Sequence, residues 1–168
     1  GVPGRMEEVI REPFRAFVDY AITPNALQKV YETLVPKPST LNPKLICVLG
    51  SCGGGRDKWK RPIMGQTAAK YCQKIVITNE DSYPGDDPLE IVKDIEVGIQ
   101  DTKYQILDTK IIIDRREAIA EALKTAVAGD VVIITGKGCE PTIWVAGKQI
   151  PWNESQVVKE EFAKIYAR

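Results

Sequence analysis

Runs that are apolar at nearly every position punctuate the chain. Leu45-Ile46-Cys47-Val48-Leu49, Lys74 to Thr78, Lys110 to Ile113 and Asp130 to Thr135 have the length and content of buried strands. Phe14-Arg15-Ala16-Phe17-Val18 alternates instead and places Asp19 at a strand's C-terminal end; Thr142 to Ala146 is a last short strand. Between these runs apolar residues recur at helical spacing. Leu27, Val30, Tyr31 and Leu34 share one face behind a Thr23-Pro24-Asn25 cap. A second helix opens at Pro62 and runs to about Tyr71, and a third starts near Pro88 with Leu89, Ile91, Val92 and Ile95 facing inward. Asp114 caps a helix through Ala126, and Glu154 to Ala167 carries Val157, Val158, Phe162 and Ile165. Gly1 to Glu12 is a lead-in, either an edge strand or a linker; Pro36, Pro38 and Pro43 mark a loop, and Gly147 to Asn153 separates the last strand from the last helix. Strands alternating with helices predict an α/β class: a Rossmann-like, three-layer domain whose mostly parallel sheet of about six strands carries helices on both faces.

In such sheets ligands sit beyond the carboxyl ends of the strands. Asp19, the Gly50 to Arg61 loop, Asp81 with Tyr83, and the turn Gly136 to Glu140 all fall at predicted carboxyl ends, so one shared cleft is expected. The loop after Leu49 is rich in glycine, which allows close backbone approach to a ligand, and it crowds Arg56, Lys58, Lys60 and Arg61 before a helix whose N-terminal amides favour an anion. Gly50 and Gly55 have the first spacing of a nucleotide P-loop. Arg56-Asp57 stand where that motif needs Lys and then Ser or Thr, so the loop is read as an anion or carboxylate site and not an ATPase loop.

At 168 residues the chain fits one domain with a full core. Lys+Arg and Asp+Glu both number 23, so no overall pull toward nucleic acid or a membrane surface is predicted and any basic site is local. No apolar run approaches the ~20 residues that span a bilayer. The chain begins at Gly1 and not at Met, which points to a processed product or a piece of something longer. Cys47, Cys52, Cys72 and Cys139 form no C-x-x-C pair, and reduced thiols in a cytoplasmic protein are expected. Histidine is absent, which removes Ser-His-Asp and Cys-His nucleophiles, histidine zinc sites and histidine bases. Cys139 therefore has no imidazole to activate it.

Six motifs in order resemble the C-terminal domain of the Mur ligases, most closely the UDP-N-acetylmuramoyl-tripeptide synthetase branch. They are G-V-P-G-R-M-E at Gly1 to Glu7, D-Y-A-I-T-P at Asp19 to Pro24, G-G-G-R-D-K-W-K-R-P-I-M-G at Gly53 to Gly65, D-D-P at Asp86 to Pro88, D-R-R-E-A-I at Asp114 to Ile119, and G-K-G-C-E at Gly136 to Glu140. Proteins of this family join an amino acid to a UDP-linked muramoyl peptide in peptidoglycan synthesis, converting the carboxylate into an acyl phosphate with ATP before an amine attacks. The resemblance implies that residues 1–12 lead in from a central ATPase domain that holds the ATP loop and the Mg ligands, and that residues 13–168 are the C-terminal domain. Its partners would be the amino acid, the UDP-muramoyl peptide and the rest of the ligase chain; alone it would be inactive.

The resemblance also implies roles. Arg5 matches the arginine that reaches the ATP phosphates, a catalytic and cofactor-binding role. Asp19 matches the aspartate on the ribose hydroxyls, and Ile22 and Asn25 fall on the same nucleotide edge. Arg56 matches the arginine that clamps the amino acid's α-carboxylate, where a guanidinium fork fits two oxygens. Gly136, through its carbonyl, and Glu140 match the groups that receive a side-chain ammonium. Three departures stand out. Ile22 and Cys139 replace histidines of the family pattern, so Ile22 packs against adenine without hydrogen-bonding it. The D-N-P-R signature for diaminopimelate is absent: Asp81-Ser82-Tyr83 occupies that region, with a neutral aromatic in place of the arginine for a distal carboxylate. Asp81 and Glu140 are thus expected to suit a basic substrate such as lysine. The alternatives are a related ligase with another acceptor, polyglutamate-type or amidating, and a non-catalytic ligand-binding module.

Overall fold

Alternate residues of a strand point to opposite faces, so a strand apolar at every position needs cover on both sides. The chain supplies it. The structure, a computed structural model, describes residues 1–35, 42–104 and 108–167. The strands are β1 (Glu7–Ile10), β2 (Arg15–Asp19), β3 (Leu45–Leu49), β4 (Lys74–Ile77), β5 (Asp108–Ile111), β6 (Val131–Thr135), β7 (Thr142–Val145) and β8 (Lys148–Pro151). The helices are α1 (Pro24–Leu34), α2 (Lys60–Tyr71), α3 (Pro88–Gln100), α4 (Arg115–Thr125) and α5 (Glu154–Tyr166). Leu45, Cys47, Leu49, Ile75, Ile77 and Ile133 pack on one side of the sheet with Leu27, Tyr31, Met64, Val92 and Ile95 from α1, α2 and α3. Ile46, Val48, Val76, Val132 and Ile134 face the other way, onto Ala118, Ile119, Leu123, Val157 and Val158 of α4 and α5.

The six-stranded sheet has the order β1-β2-β6-β3-β4-β5. β2, β6, β3, β4 and β5 are parallel, and only β1 runs antiparallel, paired with β2. The α/β three-layer expectation holds. The order reverses between β3 and β6: the chain steps outward from β3 through β4 to β5, then crosses back to the other side of β3. That reversal opens the crevice in which such sheets bind ligands.

Several boundaries differ from expectation. The lead-in is the edge strand β1, whereas Thr142–Val145 does not join the main sheet. It pairs with β8, inside the segment expected to be a spacer, in a separate antiparallel hairpin. β5 starts two residues before the expected Lys110, because an edge strand with polar Asp108 and Thr109 gives no apolar signal. α2 begins at Lys60, leaving Pro62 in its first turn, where no intrahelical N–H is required of it. Leu89 is exposed; Ile91, Val92, Ile95 and Ile99 form the buried face of α3. Of the expected proline loop, residues 36–41 lie outside the described residues.

Candidate functional site at the carboxyl edge of the sheet

Every parallel strand of the crevice delivers a motif to the same edge. Asp19 ends β2, Gly50 follows β3, Thr78 to Tyr83 follow β4, and Gly136 to Glu140 follow β6. The turn after β4 is the hub. Asp81 bridges in parallel to Cys52, and Gly53 N–H donates to the Asp81 carbonyl at 2.8 Å. Asp86 clamps the same loop from its side chain, Oδ2 accepting from Gly54 N and from Tyr83 N, both at 2.8 Å. A Cβ on Gly53 would lie 1.8 Å from that carboxylate, so a side chain there would displace the clamp. The β7–β8 hairpin forms the side wall: Asn79 Nδ2 and Ser82 N donate to the Trp144 carbonyl, and the Tyr83 and Trp144 rings stand 5.4 Å apart.

The four cations of the glycine loop do different things. Arg61 is buried and structural, its Nη1 2.9 Å from Asp94 Oδ2 and its Nη2 bound to the Cys52 carbonyl. Lys58 pairs with Glu90 on the surface. Lys60 is buried, and its charge favours the ionisation of Glu80 and Cys52. Arg56 alone is exposed with no carboxylate partner among the described residues, which leaves its guanidinium to a ligand. The helix amides expected to bind an anion are already used. Lys60 N donates to the Asp57 carbonyl, Arg61 N to that of Lys58, and Pro62 has none. An anion at this loop would meet side chains and not helix amides.

Asp81 was expected to present a free carboxylate. Instead it is buried, with Oδ2 accepting from Lys137 Nζ at 2.8 Å and Oδ1 from Trp144 N at 2.7 Å. The cause is Lys137, whose ammonium bridges Asp81 and Glu140; the two carboxylates raise its pKa against the opposing effect of its own burial. Glu140, 37% exposed at its side chain, also accepts from Tyr20 Oη at 3.1 Å. Burial and Glu140 together raise the Tyr20 pKa. Arg5 lies over the Tyr20 ring at 5.3 Å. A continuous line of contacts thus runs Arg5, Tyr20, Glu140, Lys137, Asp81, Trp144, Tyr83.

The other expected residues sit beside this line. Asp19 caps the lead-in, its oxygens accepting from Met6 N at 2.7 Å and Ala21 N at 2.8 Å. The carboxylate is buried at 9% exposure, with a further acceptor lone pair left on each oxygen. Ile22 is half-buried and Asn25 exposed on the first turn of α1, whose cap is Thr23. Gly136 joins the two groups: its N–H donates to the Asp19 carbonyl at 3.1 Å, and its φ of 113° is one that side-chain-bearing residues avoid. Beyond the G-K-G-C-E turn, Cys139 and Glu140 border a cleft of about 310 Å³ closed by Pro3, Glu7 and Trp152. Among the described residues no cluster of acidic or thiol side chains is arranged for a metal ion.

Two residues of the site escaped the sequence reading. Lys137 lies inside a quoted motif, but a lysine between glycines reads as exposed. Glu80 looks like one more charge in an acidic turn, yet it is buried and its Oε2 has no hydrogen-bond partner.

Comparison with known proteins agrees with the fold and with the motif order. Residues 4–138 match the family described as Mur ligase, glutamate ligase domain. The UDP-N-acetylmuramoyl-L-alanyl-D-glutamate–2,6-diaminopimelate ligase of Aquifex aeolicus (strain VF5) is 40% identical over 159 residues, covering 95% of this chain and 31% of that protein. The ligase of the same name from Thermosynechococcus vestitus (strain NIES-2133 / IAM M-273 / BP-1) is 43% identical over 143 residues, covering 83% and 27%. A solved diaminopimelate ligase structure superposes with a TM-score of 0.83 at 34% identity, over 98% of this chain and 32% of that one. A Mycobacterium tuberculosis folylpolyglutamate synthase, 20% identical with a TM-score of 0.57 over 81% of this chain and 30% of its own, shares the fold alone. The chain spans about a third of the length of these relatives. No helix is long and apolar enough to cross a membrane. By family match, identity and superposition, the chain belongs to the Mur ligase family, as its C-terminal domain.

Proposed function

We propose that this domain positions the incoming amino acid, and closes on ATP, in a cytoplasmic ligase that adds an amino acid with a cationic side chain to a UDP-N-acetylmuramoyl peptide. One observation carries the substrate class: Asp81 and Glu140 bring two negative charges to the single positive charge of Lys137, leaving an excess negative charge at the exposed Glu140. A side-chain ammonium on Glu140 and the Gly136 carbonyl would neutralise it. Asp81 then serves to hold Lys137, and not to meet the substrate. Arg56, on the loop pinned against Tyr83, takes the α-carboxylate. Tyr83 offers an aromatic wall where the diaminopimelate pattern has an arginine, so a distal carboxylate has no cation to meet.

ATP, with Mg held by a central domain reached through residues 1–12, supplies the phosphoryl group that activates the peptide carboxylate. Towards it this chain contributes Arg5 for phosphate charge, Asp19 for ribose, and Ile22 with Asn25 along the base. The Arg5–Tyr20 stack places that cation at one end of the contact line that finishes at the amino-acid wall.

The test is amine-dependent phosphate release by the complete polypeptide. L-lysine is expected to support turnover better than meso-diaminopimelate. Arg56→Ala should raise the KM for every amino acid about 10-fold or more, since truncating one partner of a charge pair costs about 2 kcal/mol or more. Tyr83→Arg should shift preference toward diaminopimelate. An unchanged KM in Arg56→Ala removes the carboxylate assignment, and equal use of norleucine removes the ammonium one.

A further inference from the structure

At the end of β4, between the glycine turns that follow β3 and β6, one buried side chain has no role above. Glu80 is 5% exposed. Its Oε2 is sealed from solvent without a partner, a costly arrangement for a carboxyl group. Both glycine turns are shaped around it. A Cβ at Gly136 would come within 2.5 Å of Glu80 Oε2, and one at Gly50 within 2.9 Å of Glu80 Cβ. The titratable groups whose charges act on it, or on which its charge acts, come from the neighbouring elements: Lys60 of α2, Arg115 of α4, Lys137 after β6, Asp81 beside it, Cys52 after β3 and Tyr20 after β2. Burial outweighs the three cations and, helped by Asp81, pushes the Glu80 pKa up to about 7.

Gly136, the residue proposed to offer its carbonyl to the substrate ammonium, thus lies against a carboxyl group that makes no ion pair or hydrogen bond through Oε2. We propose that Glu80 is a proton-exchanging specificity residue: neutral in the empty cleft, it ionises when a cationic side chain enters, so that recognition of that side chain releases a proton. In the step the Glu80 O–H bond breaks, the proton passes to solvent, and the carboxylate left behind faces the substrate ammonium; no electrons are transferred. The gain is selectivity. A neutral side chain leaves Glu80 protonated, whereas an ammonium creates its own third carboxylate beside Glu140 and Asp81.

This rests on the cleft taking an amino acid, and the experiment separates the two claims. L-lysine is titrated calorimetrically into the complete polypeptide in buffers of different ionisation enthalpy, at pH 6 and pH 8, with L-norleucine as the control that keeps the four-carbon side chain and lacks the ammonium. Relative to norleucine, lysine should release about 0.4 of a proton at pH 6 and about a tenth of one at pH 8, as a fall of the midpoint from about 7 by one pH unit requires. Glu80→Gln should abolish the release and weaken lysine binding about tenfold at pH 8 while leaving norleucine unchanged. Carbon-13 titration of the wild-type Glu80 carboxyl gives a readout independent of that variant: a midpoint near neutrality that falls by at least one pH unit with lysine. Lysine binding without proton release, or an ordinary carboxyl midpoint, overturns the role of Glu80 and leaves the ligase reading intact. If neither amino acid binds, the cleft assignment fails and this proposal with it.

Discussion

Glu80 has a consequence for stability as well as for binding. Its pKa is raised from 4.5 to about 7 in the folded protein, so between those values the native state holds a proton that the unfolded chain has lost. Stability then falls as pH rises through that window, and the lost contribution, about 2.5 pH units' worth, is about 3 kcal/mol by pH 8. Glu80→Gln is expected to remove this slope and to be the more stable form at pH 8, read by urea unfolding at pH 5 and pH 8; parallel pH profiles for the two proteins would show that Glu80 ionises normally. The contrast with Arg56 explains what was readable in the chain. Arg56 presents an exposed guanidinium after a strand end, and both features follow from the motif. Glu80, Asp81 and Lys137 act through burial and mutual pairing across residues 56 positions apart, which residue type alone does not reveal. The surroundings of Asp81 were hidden for that reason: its charge was visible and its partner Lys137 was not.

The glycine loop is held to its helix by an unusually close crossing of α2 and α3. A Cβ on Gly65 would come within 2.1 Å of the Ile95 carbonyl oxygen, and one on Gly98 within 1.9 Å of that of Pro62. Glycine in a helix interior normally costs about 1 kcal/mol relative to alanine, so Gly→Ala should stabilise unless the space is taken. Here the obstacles are backbone atoms, and Gly65→Ala and Gly98→Ala are each expected to destabilise by about 2 to 3 kcal/mol in denaturant unfolding. A stabilised variant would disprove the close approach. Fully buried β3, β4 and β6 and the capped helices α1, α4 and α5 were legible because hydrophobicity, period and cap residues agree in each. β8 was not. Its four residues are all exposed, and it exists because Ala146 and Gly147, with φ of 49° and 77°, turn the chain back; alanine is a poor advertisement for such a turn. β1 is only four residues long and becomes a strand by pairing with β2, not through a pattern of its own.

Across the whole molecule, one buried ion pair holds the layers in register beneath the crevice. Arg115, in the motif D-R-R-E-A-I, reaches from α4 to the Asn79 carbonyl at 3.1 Å after β4 and to the Thr135 carbonyl at 2.7 Å on β6, while its guanidinium forks onto Glu154 at the start of α5. Trp152 Nε1 adds a hydrogen bond to Glu154 Oε2 at 2.5 Å, tying in the residue that follows the hairpin. Both charged side chains are essentially solvent-free. Arg115 therefore fixes the relative height of the two strand ends between which Glu80 sits, and its own charge restrains the rise in the Glu80 pKa. Removing one partner strands the other charge in the interior, so Arg115→Met and Glu154→Leu should each cost about 3 to 5 kcal/mol, whereas the double variant should recover most of that loss. The double variant carries a second expectation that a purely mechanical pin does not. With the Arg115 cation gone and the layers still packed, Glu80 should titrate higher than in the wild type, and proton release on lysine binding at pH 8 should increase. Full recovery of stability with an unmoved Glu80 midpoint would show that Arg115 sets the geometry of the crevice floor without tuning its charge.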